Sequence, residues 1–234
     1  MDRIEEDYKT FVSWYVWTRH DCFGWGNSPQ VTSKMHEFSA KGKFEHVVTP
    51  EAIELFLYQY NRHSEDKPYL KEFSTALVNN AYDGGHNGFV LPASKDKHDE
   101  PPYADLFGGY WYLQGKKKDL LDITIKGESF QEYGHNLNYA KVRFVAPEVM
   151  RCGYYCKNSV LIFESETIKG SAFMSENCDI YLYGTDVSNS GMVSKNNRFF
   201  SPHKSTLEKV SEEAGSGSSF YLIEEDGSHT EVKF

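Results

Sequence analysis

Residues 134–144 read Gly-His-Asn-Leu-Asn-Tyr-Ala-Lys-Val-Arg-Phe, and residues 153–163 read Gly-Tyr-Tyr-Cys-Lys-Asn-Ser-Val-Leu-Ile-Phe. Without any gap, each stretch has a glycine, an apolar residue three positions later, a small residue six positions later, and then a run typical of a strand. A third copy begins at Gly170 and matches after one inserted residue, and a degenerate fourth begins near Gly191. The chain therefore contains an internal repeat of about 18 residues.

The glycines that open these copies lie 19, 17 and 21 residues apart. This spacing is too short for a βαβ unit, which needs about 30 residues. It suits one coil of a β-solenoid, with a main strand and a tight corner where glycine accepts a positive φ. Because one coil cannot bury its own apolar face, the coils must stack. An antiparallel meander built from three imperfect copies is the alternative.

Helical patterns dominate the part of the chain before residue 95. Apolar residues at helical spacing predict a first helix over residues 1–17 and a third over residues 68–79. Between them, Thr49-Pro50-Glu51 starts a second helix with a capping hydroxyl, a proline at the first helical position and an acid in the first turn. Residues 92–103 are polar and proline-rich, which predicts a linker or a long surface loop.

The last residues have the pattern of a cap. Helical spacing covers residues 205–214, and residues 220–234 have the pattern of a hairpin with an Asp226-Gly227 turn. Such elements cover strand edges that an open solenoid end would expose. We therefore predict an α+β fold with a mainly helical region over residues 1–95, a short parallel β-helix over 104–200 and a C-terminal helix and β-hairpin cap over 201–234.

The third copy, from Gly170 to Gly184, reads Gly-Ser-Ala-Phe-Met-Ser-Glu-Asn-Cys-Asp-Ile-Tyr-Leu-Tyr-Gly. Over residues of about 121 to 200, this pattern resembles the GXGXG β-helix found at the C-terminus of glutamate synthase and in the C subunit of formylmethanofuran dehydrogenase. Asn177 stands where that family has a turn glycine, and Leu137 and Cys156 stand where it has methionine. The resemblance implies a right-handed parallel β-helix that braces, spaces or assembles catalytic partners, and it brings no catalytic residue.

Composition excludes several classes of protein. The chain has 234 residues, a formal net charge of −9 and 15% aromatic residues, so it can bury a large apolar area and should fold. An acidic chain lacks the basic face that nucleic-acid binding needs. No apolar run is long enough to span a membrane, and no signal-peptide core follows the N-terminus. Four cysteines form no disulfide framework, so we expect reduced thiols and a cytoplasmic location.

Thiol and imidazole groups are the first candidates for a metal site. The densest group comprises His135, Cys152, Cys156 and Cys178, and its spacing matches no zinc pattern. In the repeat, Cys156 takes a position that is apolar in the other copies, which favours a small core residue. We therefore predict no metal site and no cofactor.

Two groups of residues would suit a sugar. One consists of acids at or near strand ends, where two carboxylates about 5–10 Å apart can act as acid and base: Glu164, Glu166, Asp179 and Asp186. The other is an aromatic cluster that follows Gly108-Gly109 and offers an exposed platform for a sugar or a protein. Its members are the candidate ligand-binding residues Tyr110, Trp111 and Tyr112.

The absence of a catalytic motif favours a non-catalytic structural or protein-interaction module, which binds a protein partner or associates with itself. The alternative is a carbohydrate-active enzyme or sugar-binding protein that uses strand-end carboxylates and exposed aromatic residues. A row of acids beside Tyr or Trp in a groove would favour this alternative, whereas a smooth surface would favour the interaction module.

Overall fold

A computed structural model of the chain describes residues 2–19, 44, 47–60, 70–93 and 113–234. The helices in this part are α1 (Asp2–Arg19), α2 (Pro50–Tyr60), α3 (Leu70–Asp83) and α4 (Lys204–Glu213). The strands are β1 (Phe89–Pro92), β2 (Leu121–Lys126), β3 (Ser129–Gln131), β4 (Ala140–Val145), β5 (Glu148–Met150), β6 (Val160–Glu164), β7 (Thr167–Lys169), β8 (Asp179–Leu182), β9 (Asp186–Ser188), β10 (Arg198–Ser201), β11 (Ser219–Ile223) and β12 (His229–Val232).

The strands form a parallel β-solenoid of about five turns, which confirms the predicted α+β fold. The larger sheet has the order β1-β2-β4-β6-β8-β10-β11-β12, and only its β11–β12 pair is antiparallel. The smaller sheet has the order β3-β5-β7-β9 and is parallel throughout. Each coil thus has two strands, whereas the sequence predicts one main strand. The second was missed because it is only three residues long and turns a single apolar side chain inward.

Strand register gives the coil a length of 19 residues. Val142 pairs with Leu161, and Leu161 pairs with Ile180. Nineteen residues after Gly134 comes Gly153, and nineteen residues after Gly153 comes Ala172. The predicted alignment of Gly170 with those two glycines is therefore wrong. The register is set by inward apolar side chains, since a slip of one residue would turn all of them outward.

One apolar core extends through the coils and into the helices. Inside the coils, the rings of Phe144 and Phe163 stack with centroids 4.7 Å apart. At the N-terminal end, Phe73 of α3 contacts four other rings: Tyr8, Phe11, Phe44 and Phe56. The helices therefore cover the first coil, and β1, which lies within the predicted helical region, extends the larger sheet. The division of the chain into three segments stays a prediction.

Helix α3 continues to Asp83, past its predicted end at residue 79, because Val78, Ala81 and Tyr82 are buried in the same core. None of the helices in the described part of the chain has the apolar length that crossing a bilayer requires.

Helix α4 and the terminal hairpin close the other end, as the sequence predicts. Leu207 and Val210 of α4 are buried against the last coil, and the Thr206 hydroxyl donates a hydrogen bond to the Gly184 carbonyl at 3.1 Å. In the hairpin, Gly227 has a φ of 80°, and the Asp226 carboxylate accepts a hydrogen bond from the Ser228 amide at 2.8 Å. The cap thus replaces a further coil.

Candidate functional site

Four successive coils each turn through four residues with positive φ, and these residues recur at the same places in each coil. The first row is Glu132, Arg151, Gly170 and Asn189; the second is Gly134, Gly153, Ala172 and Gly191; the third is Asn136, Tyr155, Met174 and Val193; the fourth is Tyr139, Asn158, Asn177 and Asn196. A left-handed conformation costs about 1–2 kcal/mol per residue with a Cβ, and only glycine, and to a lesser degree asparagine, adopts it readily. Where a row contains a residue other than glycine or asparagine, another requirement must therefore outweigh the steric cost of the left-handed conformation.

The third row places large apolar side chains on the surface. Tyr155, Met174 and Val193 are 44%, 41% and 55% exposed, with φ between 51° and 58°. The residue directly before each of them is a half-buried apolar residue, so the two rows form one stripe along a corner of the solenoid. We call this stripe the apolar ridge; it comprises Tyr154, Tyr155, Phe173, Met174, Met192 and Val193.

Ring contacts between neighbouring coils hold the aromatic half of the apolar ridge in place. His135 stacks on Tyr154 with centroids 4.9 Å apart and an interplanar angle of 8°, and Tyr154 contacts Phe173 at 5.3 Å. Tyr155 meets Phe173 edge-on at 6.3 Å and 87°. Burial raises the pKa of the Tyr154 hydroxyl above its ordinary value. These side chains are therefore already ordered before any partner arrives, which lowers the entropy cost of binding.

Charged side chains border the apolar ridge on both sides. Lys157 pairs with Glu176 at 3.0 Å, and Arg151 pairs with Glu132 at 3.5 Å. Lys195, at the end of the ridge, is exposed and forms no ion pair with any residue that the structure describes. An apolar strip with a charged rim has the anatomy of a protein–protein contact.

Val193 is the clearest departure from local preference. A β-branched residue at positive φ is a genuine outlier, yet the φ of Val193 is 54°. Asn136 occupies the same row in an earlier coil, so the backbone there accepts asparagine. Strained residues of this kind cluster at functional positions, which marks the apolar ridge as the candidate site.

The three cysteines among the described residues lie inside the coils and not at this surface. Cys152, Cys156 and Cys178 are all buried. The Cys156 thiol donates to the Gly134 carbonyl at 3.3 Å, and burial raises its pKa well above the ordinary value. Burial likewise raises the pKa of Cys178 to about 11. His135, in contrast, lies at the ridge with its Nε2 atom 2.7 Å from the Arg151 carbonyl. The described residues hold no group of three or more His, Cys, Asp or Glu side chains able to bind a metal ion.

Two of the strand-end acids are held by arginines and lie far from each other. Glu164 accepts a hydrogen bond from Arg143 at 2.5 Å, and Asp179 accepts two from Arg198 at 2.5 and 2.6 Å. Asp179 pairs with the first residue of β6, whereas Glu164 is the last residue of that strand. Four residues along the strand direction therefore separate Asp179 from Glu164, a distance of about 13 Å. This distance is beyond the range of an acid/base pair. The two remaining acids, Glu166 and Asp186, lie at the corner after β6 and at the start of β9.

The predicted aromatic platform of Tyr110, Trp111 and Tyr112 lies outside the described residues. A different aromatic ladder stands on the outer face of the larger sheet, where Phe200 stacks on Tyr181 at 4.5 Å and on Tyr221 at 5.0 Å. Because these rings cover one another's faces, the ladder offers little flat surface to a sugar.

Sequence reasoning missed the apolar ridge because its members lie 19 residues apart along the chain. A usable signal exists: Tyr155, Met174 and Val193 are large apolar residues at turn positions where glycine or asparagine is expected. Comparison with protein-family models, curated proteins and solved structures found no match for this chain.

Proposed function

We propose that the protein is a non-catalytic interaction module whose solenoid presents the apolar ridge to a protein partner. One observation carries this proposal: three successive coils expose a large apolar side chain at a strained backbone position that asparagine would occupy at lower cost. Exposed apolar stripes with a polar rim mark sites of protein association. The resemblance to the GXGXG β-helix supports the same role, because that domain braces and assembles other proteins. We also propose a cytoplasmic location.

The energy available at the ridge suits a specific but reversible contact. Complete burial of an apolar side chain contributes about 1.5–3 kcal/mol, and the exposed halves of Tyr155, Met174 and Val193 would contribute about 1 kcal/mol each. Little of this gain is lost in ordering, since the backbone of each coil is hydrogen-bonded to the next. Met174 N, for example, donates to Met192 O at 3.0 Å.

A triple variant tests the proposal. Tyr155→Asn, Met174→Asn and Val193→Asn together extend to the whole row the asparagine already present at Asn136, so the fold should be retained. Tagged protein is used to capture partners from native cell extract, with mass spectrometry of the bound proteins. We expect the triple variant to capture at least about tenfold less of the stoichiometric partner than the natural chain does.

Tyr183→Ser is the matched control, because Tyr183 is 43% exposed but lies just after β8, away from the ridge. This variant should keep the partner. Capture of the same partners by the triple variant and by the natural chain would contradict the proposal.

A further inference from the structure

A hollow of about 520 Å³ lies at the C-terminal cap, between α4 and the hairpin. Its apolar wall consists of two rings, Phe220 and Phe234, which meet edge-on with centroids 5.7 Å apart. Phe234 is 53% exposed, so this wall is open to solvent. The rest of the lining comes from the exposed side of α4: Glu208, Ser211 and Glu212.

The polar side of the hollow is acidic. Glu208 and Glu212 are four residues apart on α4 and therefore neighbours on one helix face, where like charges repel. Glu208 has only a long ion pair, 4.0 Å to Lys204, and Glu212 has no ion pair within the described ranges. The hollow would accept an apolar group that carries a cation beside it, because the cation would relieve this repulsion.

The end of the apolar ridge has the complementary chemistry. Val193 projects from the corner with more than half of its surface exposed, and Lys195 follows two residues later without an ion pair in the described structure. An apolar projection with a lysine thus complements an apolar hollow with glutamates, in polarity and in charge.

These two surfaces are neighbours on the molecule. Met192 of the ridge forms a β-bridge with Ala214, the residue that directly follows α4. When two complementary surfaces lie side by side, a two-fold axis can bring each one against its counterpart and close a dimer.

We propose that the partner of the apolar ridge is a second copy of this chain, with Val193 seated in the hollow beside Phe234 and Lys195 paired with Glu212 of the other copy. This inference rests on the proposed function and deepens it.

Sedimentation equilibrium of the full chain, from about 1 to 300 µM, tests the proposal. The natural chain should form dimers. Lys195→Glu alone and Glu212→Lys alone should each weaken dimerisation by at least about tenfold, because each places like charges together. An equimolar mixture of the two variants should recover it, because each heterodimer has two ion pairs. One has the original sign, Glu212 of the first variant with Lys195 of the second, and the other has the reversed sign. Lys118→Glu, an equal charge change at an exposed position before β2 and outside the hollow, is the matched control and should have no effect.

A natural chain that stays monomeric at the highest concentration would overturn this inference, and so would a mixture that does not recover. If that chain still captured another protein through the ridge, the interaction module would stand and only the identity of the partner would change. If the triple asparagine variant neither lost a partner nor dimerised less, both proposals would fall.

Discussion

Two corners of the same coil, three residues apart in the chain, both have a positive φ but are occupied by different kinds of residue. The fourth row begins with Tyr139 and then has asparagine in three successive coils, at Asn158, Asn177 and Asn196, with φ between 49° and 54°. The third row has nearly the same φ and begins with Asn136, but in the same three coils it carries Tyr155, Met174 and Val193. Since the backbone requirement is the same, the contrast must come from what the side chains face. Asparagine satisfies local sterics, whereas exposed apolar residues there fit the contact outside the coil that we propose.

The largest loss of stability is expected from a substitution in the second row of positive-φ residues, which face the core and include Gly191. Gly191 has a φ of 75°, and a Cβ there would lie 2.6 Å from the buried Phe199 ring. Gly191→Ala should lower the free energy of unfolding by about 2–4 kcal/mol, from backbone strain and overpacking together. Urea denaturation measures the loss. Gly227→Ala has a similar φ but nothing within 4 Å, so it should cost only about 1 kcal/mol. Equal losses would refute the role of the clash.

A substitution that places valine, the residue of the apolar ridge at Val193, in the fourth row tests whether both corners require the left-handed backbone conformation. Asn177→Val should destabilise the chain by about 1–2 kcal/mol, because a β-branched residue resists the left-handed conformation. Asn177→Gly should change stability by only a few tenths of a kcal/mol, since glycine accepts this φ. Thermal unfolding of both variants measures the difference. A valine tolerated as well as glycine would show that this corner imposes no such preference.

The reverse substitution should produce the smallest effect, and with opposite sign. Val193→Asn should raise the free energy of unfolding by about 1 kcal/mol, because it relieves strain at a half-exposed position. Val47, which is also about half exposed but lies outside the positive-φ rows, is the control. Because its side chain packs on Gly84 and its backbone is not strained, Val47→Asn should not raise the free energy of unfolding. A loss of stability in Val193→Asn would mean that valine packs within the chain and is not retained for an external contact.

The coil could be predicted from sequence because its signals are local. Two ungapped copies starting at Gly134 and Gly153 show a corner glycine followed by an alternating strand, and Asp226-Gly227 marks the hairpin. The third copy was misaligned because Gly170 and Ala172 both have positive φ, in different rows. A glycine marks a turn but not its place within the coil; that place follows from the pairing of Leu161 with Ile180.

The interior shows the same limit of sequence reasoning. Ser159 and Asn197 are buried polar residues that occupy one inward position in two coils. The Ser159 hydroxyl accepts a hydrogen bond from the Ala140 amide at 3.1 Å, and the Asn197 side chain accepts one from the Cys178 amide at 2.8 Å. Hydropathy assigns both residues to the surface. Burial is favourable because the coil before each one supplies a backbone donor, and because each side chain also donates a hydrogen bond of its own, from Ser159 to the Lys157 carbonyl and from Asn197 to Ser175.

The sequence by itself determined that the chain forms helices followed by stacked coils with a terminal hairpin, because turn residues and apolar periodicity act over a few positions. Only the tertiary structure decided the 19-residue register, the second strand of each coil, the placement of serines inside, and the apolar ridge. Each of these depends on contacts between residues one coil or more apart. No local pattern encodes such contacts, and they exist only when the coils are stacked.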